Sequence, residues 1–162
     1  MIHAGSGGVG SLAIQLAKSR GAYVIATTSA KNRALVASLG ADEVIDYKAQ
    51  DFTDVVAEVD VVFDTLGGDV QTASWSVLKK GGMLVSIVSP PSEETANEFG
   101  VKSAFVFIQP NAEILRQYAE LVDDGKIRPL VGAEFALADI EKAHELSESG
   151  RAVGKIVLSV GS

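Results

Sequence analysis

Short runs of apolar, often β-branched residues alternate along this chain with segments whose apolar positions recur every three or four residues, and Gly, Asp, Ser and Pro mark the joins. The run at 1–4 passes through glycines into 9–20, where Leu12 and Leu16, with Ala13 and Ala17, make one helical stripe. This predicts a strand feeding a helix. A second strand is expected at 23–28, a helix at 30–39 closed by Gly40, and a third strand at 43–46. The rhythm then repeats. Strands are expected at 59–64, 83–88 and 104–108, with helices at 70–78 and 92–99. Runs such as VVF and LVSIV are apolar at every position, the pattern of strands buried on both faces of a parallel sheet. The expected fold class is therefore α/β: a doubly wound, mostly parallel Rossmann sheet with helices on both faces. Beyond it lie an amphipathic helix at 111–124, a short extended stretch at 129–131, a helix at 138–149 and a last strand at 155–160.

One motif stands at a junction of this pattern. Gly5-Ser6-Gly7-Gly8-Val9-Gly10 is a G-x-G-x-x-G that follows a predicted strand and opens a predicted helix, the context a dinucleotide fingerprint requires. Gly5 permits the tight turn, Gly7 lets the backbone approach a pyrophosphate, and Gly10 allows helix and strand to pack closely. Free amides at the helix start attract the anion. A plain glycine-rich turn is the alternative.

The end of the second predicted strand bears on which dinucleotide is held. An acidic side chain there would bond the ribose 2′-hydroxyl and repel a 2′-phosphate. This chain instead offers Thr27, Thr28 and Ser29, followed by Lys31 and Arg33. Hydroxyls and cations suit a phosphate dianion, so NADPH is expected over NADH. Lys31 and Arg33 could equally decorate an exposed helix start.

Composition narrows the classes. With 162 residues, 47% hydrophobic and 22% charged, the chain has the profile of an ordinary globular protein and the length of one domain. A formal net charge of −7 argues against a nucleic-acid partner, which calls for clustered cations. Absence of cysteine removes disulfide, thiolate and cysteine–metal chemistry. No run approaches the ~20 apolar residues of a membrane span, and the first residues lack a secretory h-region, so no membrane partner and a cytoplasmic location are expected. His3 and His144 have no partner residues in catalytic or ligand spacing, so neither a catalytic side chain nor a metal site is assigned.

The succession HAGSGGVGSLAIQLAK, LGADEVIDY, VDVVFDTLGG, LKKGGMLVSI and GKIVL closely resembles the cofactor-binding portion of medium-chain dehydrogenases and reductases, in particular their zinc-independent quinone oxidoreductase branch. The resemblance covers nearly the whole chain. It implies that Gly7, Gly8 and Val9 hold the pyrophosphate, that Ser29 and Lys31 meet the 2′-phosphate, and that Tyr47 assists. Tyr47 also reads as a plain rim residue. Asp64, Thr65, Leu66 and Gly67 resemble the turn beneath the ribose and nicotinamide, although Asp64 could simply cap a helix. Ile87, Val88 and Ser89, with Phe105 and Phe107, resemble the nicotinamide-side wall, while strand core is the alternative for Ile87 and Phe105.

Members of that family carry an N-terminal GroES-like domain, which this chain does not show, so it resembles an excised or truncated cofactor domain. Residues 1–162 are then one dinucleotide-binding domain, with 126–162 a tail that in the family returns to the absent domain. The expected function is NADPH binding in an oxidoreductase that passes hydride to a quinone or enone, with poor turnover by this chain alone. A non-catalytic nucleotide-binding or oligomerisation module is the rival reading. A homodimer through 104–108 is expected, because that apolar strand should lie at a sheet edge.

Overall fold

The structure, a computed structural model, describes residues 1–161. The first chain segment sets the architecture although it forms no regular strand. Ile2 bridges in parallel to both Ala26 and Phe63. Its amide donates to the Ile25 carbonyl at 2.8 Å, its carbonyl accepts from Thr27, and the Phe63 amide donates to the Met1 carbonyl at 2.9 Å. It is thus the central rung between two groups of strands. On one side lie β1 (Ile25–Thr28) and β2 (Glu43–Asp46), paired in parallel. On the other are β3 (Val59–Asp64), β4 (Leu78–Ser86) and β5 (Lys102–Phe105), also parallel. The resulting order, β2, β1, residue 2, β3, β4, β5, is that of a doubly wound dinucleotide-binding sheet, and it reverses direction between β1 and β3.

Successive residues of each strand face opposite sides, and the core divides accordingly. Ile2, Ala26 and the partly buried Val44 and Phe63 pack beneath α1 (Gly10–Ser19) and α2 (Arg33–Ser38), with Ile14 and Val36 fully buried. Met1, Ile45, Val62 and Leu84 pack on the other face with Phe52, Trp75 and Val77, the latter two following α3 (Gly68–Ser74). Helix α4 (Glu93–Phe99), capped by the Ser92 hydroxyl, adds Ala96 to that layer.

Several expectations change. The strand expected at 83–88 both starts and ends earlier, as β4 (Leu78–Ser86). The last strand of the main sheet is Lys102–Phe105 rather than 104–108, because its pairing follows β4, whose register ends at Ser86 opposite Phe105. Residues 106–108 continue outward, with Phe107 79% exposed. The stretch at 129–131 is the threshold of a six-residue strand, β6 (Val131–Ala136), which pairs in parallel with β7 (Lys155–Ser159) in a separate small sheet. The two strands therefore find each other, with α6 (Ile140–Glu148) as the crossover. Helix α5 (Ala112–Asp123) forms as expected, yet Ile114, Leu115, Tyr118 and Val122 on it stay exposed.

Candidate functional site

The site grows from the turn that leaves residue 2. Ala4 adopts a left-handed conformation, φ 49°. Its carbonyl accepts from the Gly7 amide at 2.9 Å, and the Gly5 amide donates to the Thr27 carbonyl at 2.8 Å. A Cβ at Gly10 would run into the Ala4 carbonyl oxygen, and one at Gly5 would come within 3.0 to 3.2 Å of Ile14, Ala26 and Val36. Both glycines are required by close packing of helix on sheet. At Gly7 a Cβ would press on the Ala4 carbonyl oxygen at 3.2 Å and would meet no other residue within 4 Å. Helix α1 closes its ladder first with Ser11 donating to Gly7; Gly7 bridges Gly154 in parallel, and the amides of Val9 and Gly10 donate to no backbone carbonyl among the described residues. Open space above Gly7 and free amides at a helix start fit a pyrophosphate.

A cleft of about 1230 Å³ opens there, at the carboxyl ends of the strands. Of the residues expected in the site, Gly7, Ser29, Lys31, Tyr47 and Leu66 line it. Thr28 lies beneath, with its hydroxyl donating to Ser6 Oγ at 2.9 Å. Arg33 begins α2 outside the lining, and the place between it and Lys31 is taken by Asn32, whose amide also donates to Ser6 Oγ. Gly8 does not line the cleft either: it faces the Gly154 carbonyl and the Lys155 side chain, because the Gly154 amide donates to the Ser6 carbonyl and binds the C-terminal segment to the turn. That segment supplies a wall not foreseen from the pattern, Ser149 to Ala152, including the exposed cation Arg151. Its signal is absent locally, since only the docking of Gly154 brings it close.

Asp64 organises the turns that follow β3 and β4. Its carboxylate accepts from the amides of Leu66 and Gly67, from the Gln71 side chain and from the Ser86 hydroxyl, all at 2.8 to 2.9 Å. Burial pushes this carboxyl up, but those hydrogen bonds outweigh it and hold it below the ordinary value. Gln71 also reaches Ser89, and Gly67, at φ 71°, lies so close to Ser89 Oγ and Val88 that a Cβ would crowd them. Leu66, Gly67, Ile87, Val88 and Ser89 are thus parts of one joined pair of turns. Phe105 and Phe107 stand apart from the cleft lining, on the β5 edge and beyond it.

His3 lies at the cleft floor, almost fully buried against Phe52. Ser74 Oγ donates to the Val70 carbonyl at 2.6 Å, so it accepts from His3 Nε2–H at 2.9 Å. Nδ1 is then the acceptor for the Thr27 hydroxyl at 3.2 Å. Burial lowers the His3 pKa to about 4, against a smaller raising effect from Asp64, so the ring is neutral at neutral pH.

A family model described as zinc-binding dehydrogenase matches residues 39–158. The chain belongs to the zinc-binding dehydrogenase family. Among solved structures this family member is similar to the quinone oxidoreductase of Coxiella burnetii, at 40% identity and TM-score 0.91, over 99% of this chain and 52% of that one. It is also similar to Escherichia coli quinone oxidoreductase complexed with NADPH, at 27% identity and TM-score 0.83, over 97% of this chain and 55% of that one. A curated relative, the mitochondrial NAD(P)H oxidoreductase RTN4IP1 of Danio rerio, is 32% identical over 99% of this chain and 48% of the relative. The chain spans about half the length of the curated relatives it matches. Among the described residues no group of three or more His, Cys, Asp or Glu side chains is placed to hold a metal, and no helix is long and apolar enough to cross a membrane.

Proposed function

We propose that this chain is the dinucleotide-binding part of an oxidoreductase that holds NADPH and passes hydride to a quinone or enone. The observation that carries the reading is the turn at residues 4–10, placed where the sheet reverses order, with unbonded amides and an open Gly7 facing a long cleft. Hydride chemistry is the bound cofactor's own. The protein's part is to fix it: the Val9 and Gly10 amides at the helix start toward the pyrophosphate, Ser29, Lys31 and Arg151 toward the 2′-phosphate, and the turns tied by Asp64 toward the nicotinamide. No carboxylate closes β1, whose last residues are Thr27 and Thr28, so nothing there repels a 2′-phosphate.

Residues 1–162 serve as one dinucleotide-binding unit, and the small sheet of β6 and β7 faces the remainder of a longer enzyme; Ser162 lies outside the described residues. The open edge of β5 pairs with a second copy. A NADPH titration of Gly7→Val tests the site. A branched side chain fills the open place, and affinity should fall by roughly tenfold or more, equivalent to 1.4 kcal/mol. A folded variant with unchanged affinity would refute the placement.

A further inference from the structure

Ala4 is the hub of the glycine turn, and it is in the wrong conformation for an alanine. At φ 49° its side chain adds strain that glycine would not have. Yet its carbonyl takes the Gly7 amide, and the approach of Gly10 to the same carbonyl depends on that geometry. Something must hold the residue there. The Ala4 amide donates to Thr27 Oγ1 at 3.2 Å, and Thr27 is 3% exposed. A hydroxyl facing an amide must present a lone pair rather than its proton. Here His3 Nδ1 takes that proton, and Nδ1 is free to do so because Nε2 carries the ring hydrogen toward Ser74. The chain of donors runs in one direction, from Ala4 through Thr27 and His3 to Ser74 and the Val70 carbonyl.

We propose that Thr27, oriented by His3, is a positioning residue that holds Ala4 left-handed and so keeps the glycine turn open for the dinucleotide pyrophosphate. The inference rests on the dinucleotide reading above. Thr27 borders the cleft, but the role assigned to its hydroxyl differs from touching the ligand, since that hydroxyl is spent on His3 and Ala4.

The test measures NADPH affinity and melting temperature for the wild-type chain, Thr27→Val, Thr27→Ser and the double variant Thr27→Val with Ala4→Gly. Valine keeps the shape of threonine and loses the acceptor. Affinity should fall about tenfold in Thr27→Val, the equilibrium equivalent of the ~1.4 kcal/mol a left-handed alanine can cost. Thr27→Ser should retain affinity. Glycine at position 4 adopts the turn without help, so the double variant should recover most of the loss, which a merely destabilised core would not allow. Should Thr27→Val not fold, Thr27→Ala carries the same comparison, alone and with Ala4→Gly. Wild-type affinity in the folded hydroxyl-free variant, or no recovery in the double, overturns the positioning role alone. A wild-type chain that holds no NADPH overturns the dinucleotide reading and this inference with it.

Discussion

A Cβ on Gly10 would overlap the Ala4 carbonyl oxygen, whereas one on Gly7 would press on it at 3.2 Å and meet no residue other than Ala4. The motif glycines therefore divide between fold and ligand. Gly10→Ala should destabilise the chain by about 1–3 kcal/mol in urea unfolding, the usual cost of forcing atoms into a filled place. A variant as stable as the parent would mean the turn relaxes freely. The cations divide in a similar way: Lys31 and Arg151 line the cleft and Arg33 does not. Lys31→Ala and Arg151→Ala should each weaken NADPH by roughly 1.5–3 kcal/mol, the loss of a charge-assisted bond, with far less effect on NADH. Arg33→Ala should move both cofactors little. Equal losses for the two cofactors would assign the cations to general electrostatic steering. His3 predicts a pH dependence. Its folded pKa, about 4, lies below the ordinary 6.5, so the folded state favours the neutral ring. The stability this contributes is complete above pH 6.5 and is lost as pH falls from there toward 4, by about 3 kcal/mol from the 1.36 kcal/mol per pH unit of linkage. His3→Asn should lower the plateau and flatten that acid slope in chemical unfolding. An identical slope in parent and variant would place the titration elsewhere.

Elements of the main sheet were legible where their signal is local. The strands at 43–46 and 59–64 and the helix beginning at Gly10 stand where apolar alternation and the glycine turn put them. Strand β6 was not, because its residues Val131–Ala136 alternate between exposed and half-buried and acquire their partner only across α6. The Arg151 wall was hidden for the same reason, and so was the role of Ser6, whose hydroxyl gathers Thr28 and Asn32. By contrast the presence of Ser29 and Lys31 on the cleft lining was readable, since they follow directly from a strand end, while Tyr47, which also lines it, entered only through the family resemblance. The β5 edge carries its own prediction. The Val106 amide already donates to the Ser86 carbonyl at 2.9 Å, so by strand alternation the amides of Ser103 and Phe105 face the open edge. A second chain pairing there makes an isologous dimer. Ser103→Pro removes an outward donor without touching the inner ladder, and should yield monomers by light scattering. A folded variant that stays dimeric would move the interface elsewhere, toward the exposed side chains of α5 for example.

At the scale of the molecule, one turn, one cleft and one docked tail converge. The central segment at residue 2 joins the two halves of the sheet, the turn that follows presents amides and an open glycine, and Gly154 brings the C-terminal segment across to close the cleft. A chain of net charge −7 gathers Lys31, Lys48 and Arg151 on the cleft lining, against one carboxylate there, Asp51, so the cleft is locally cationic. The decisive measurement is a calorimetric titration of the unmodified chain with NADPH and with NADH, in the same buffer and salt. Saturable one-to-one binding of NADPH is expected, with NADH weaker by at least about tenfold, one charge-assisted contact to the 2′-phosphate being sufficient for that difference. Binding of neither, or tighter binding of NADH, would contradict the NADPH reading.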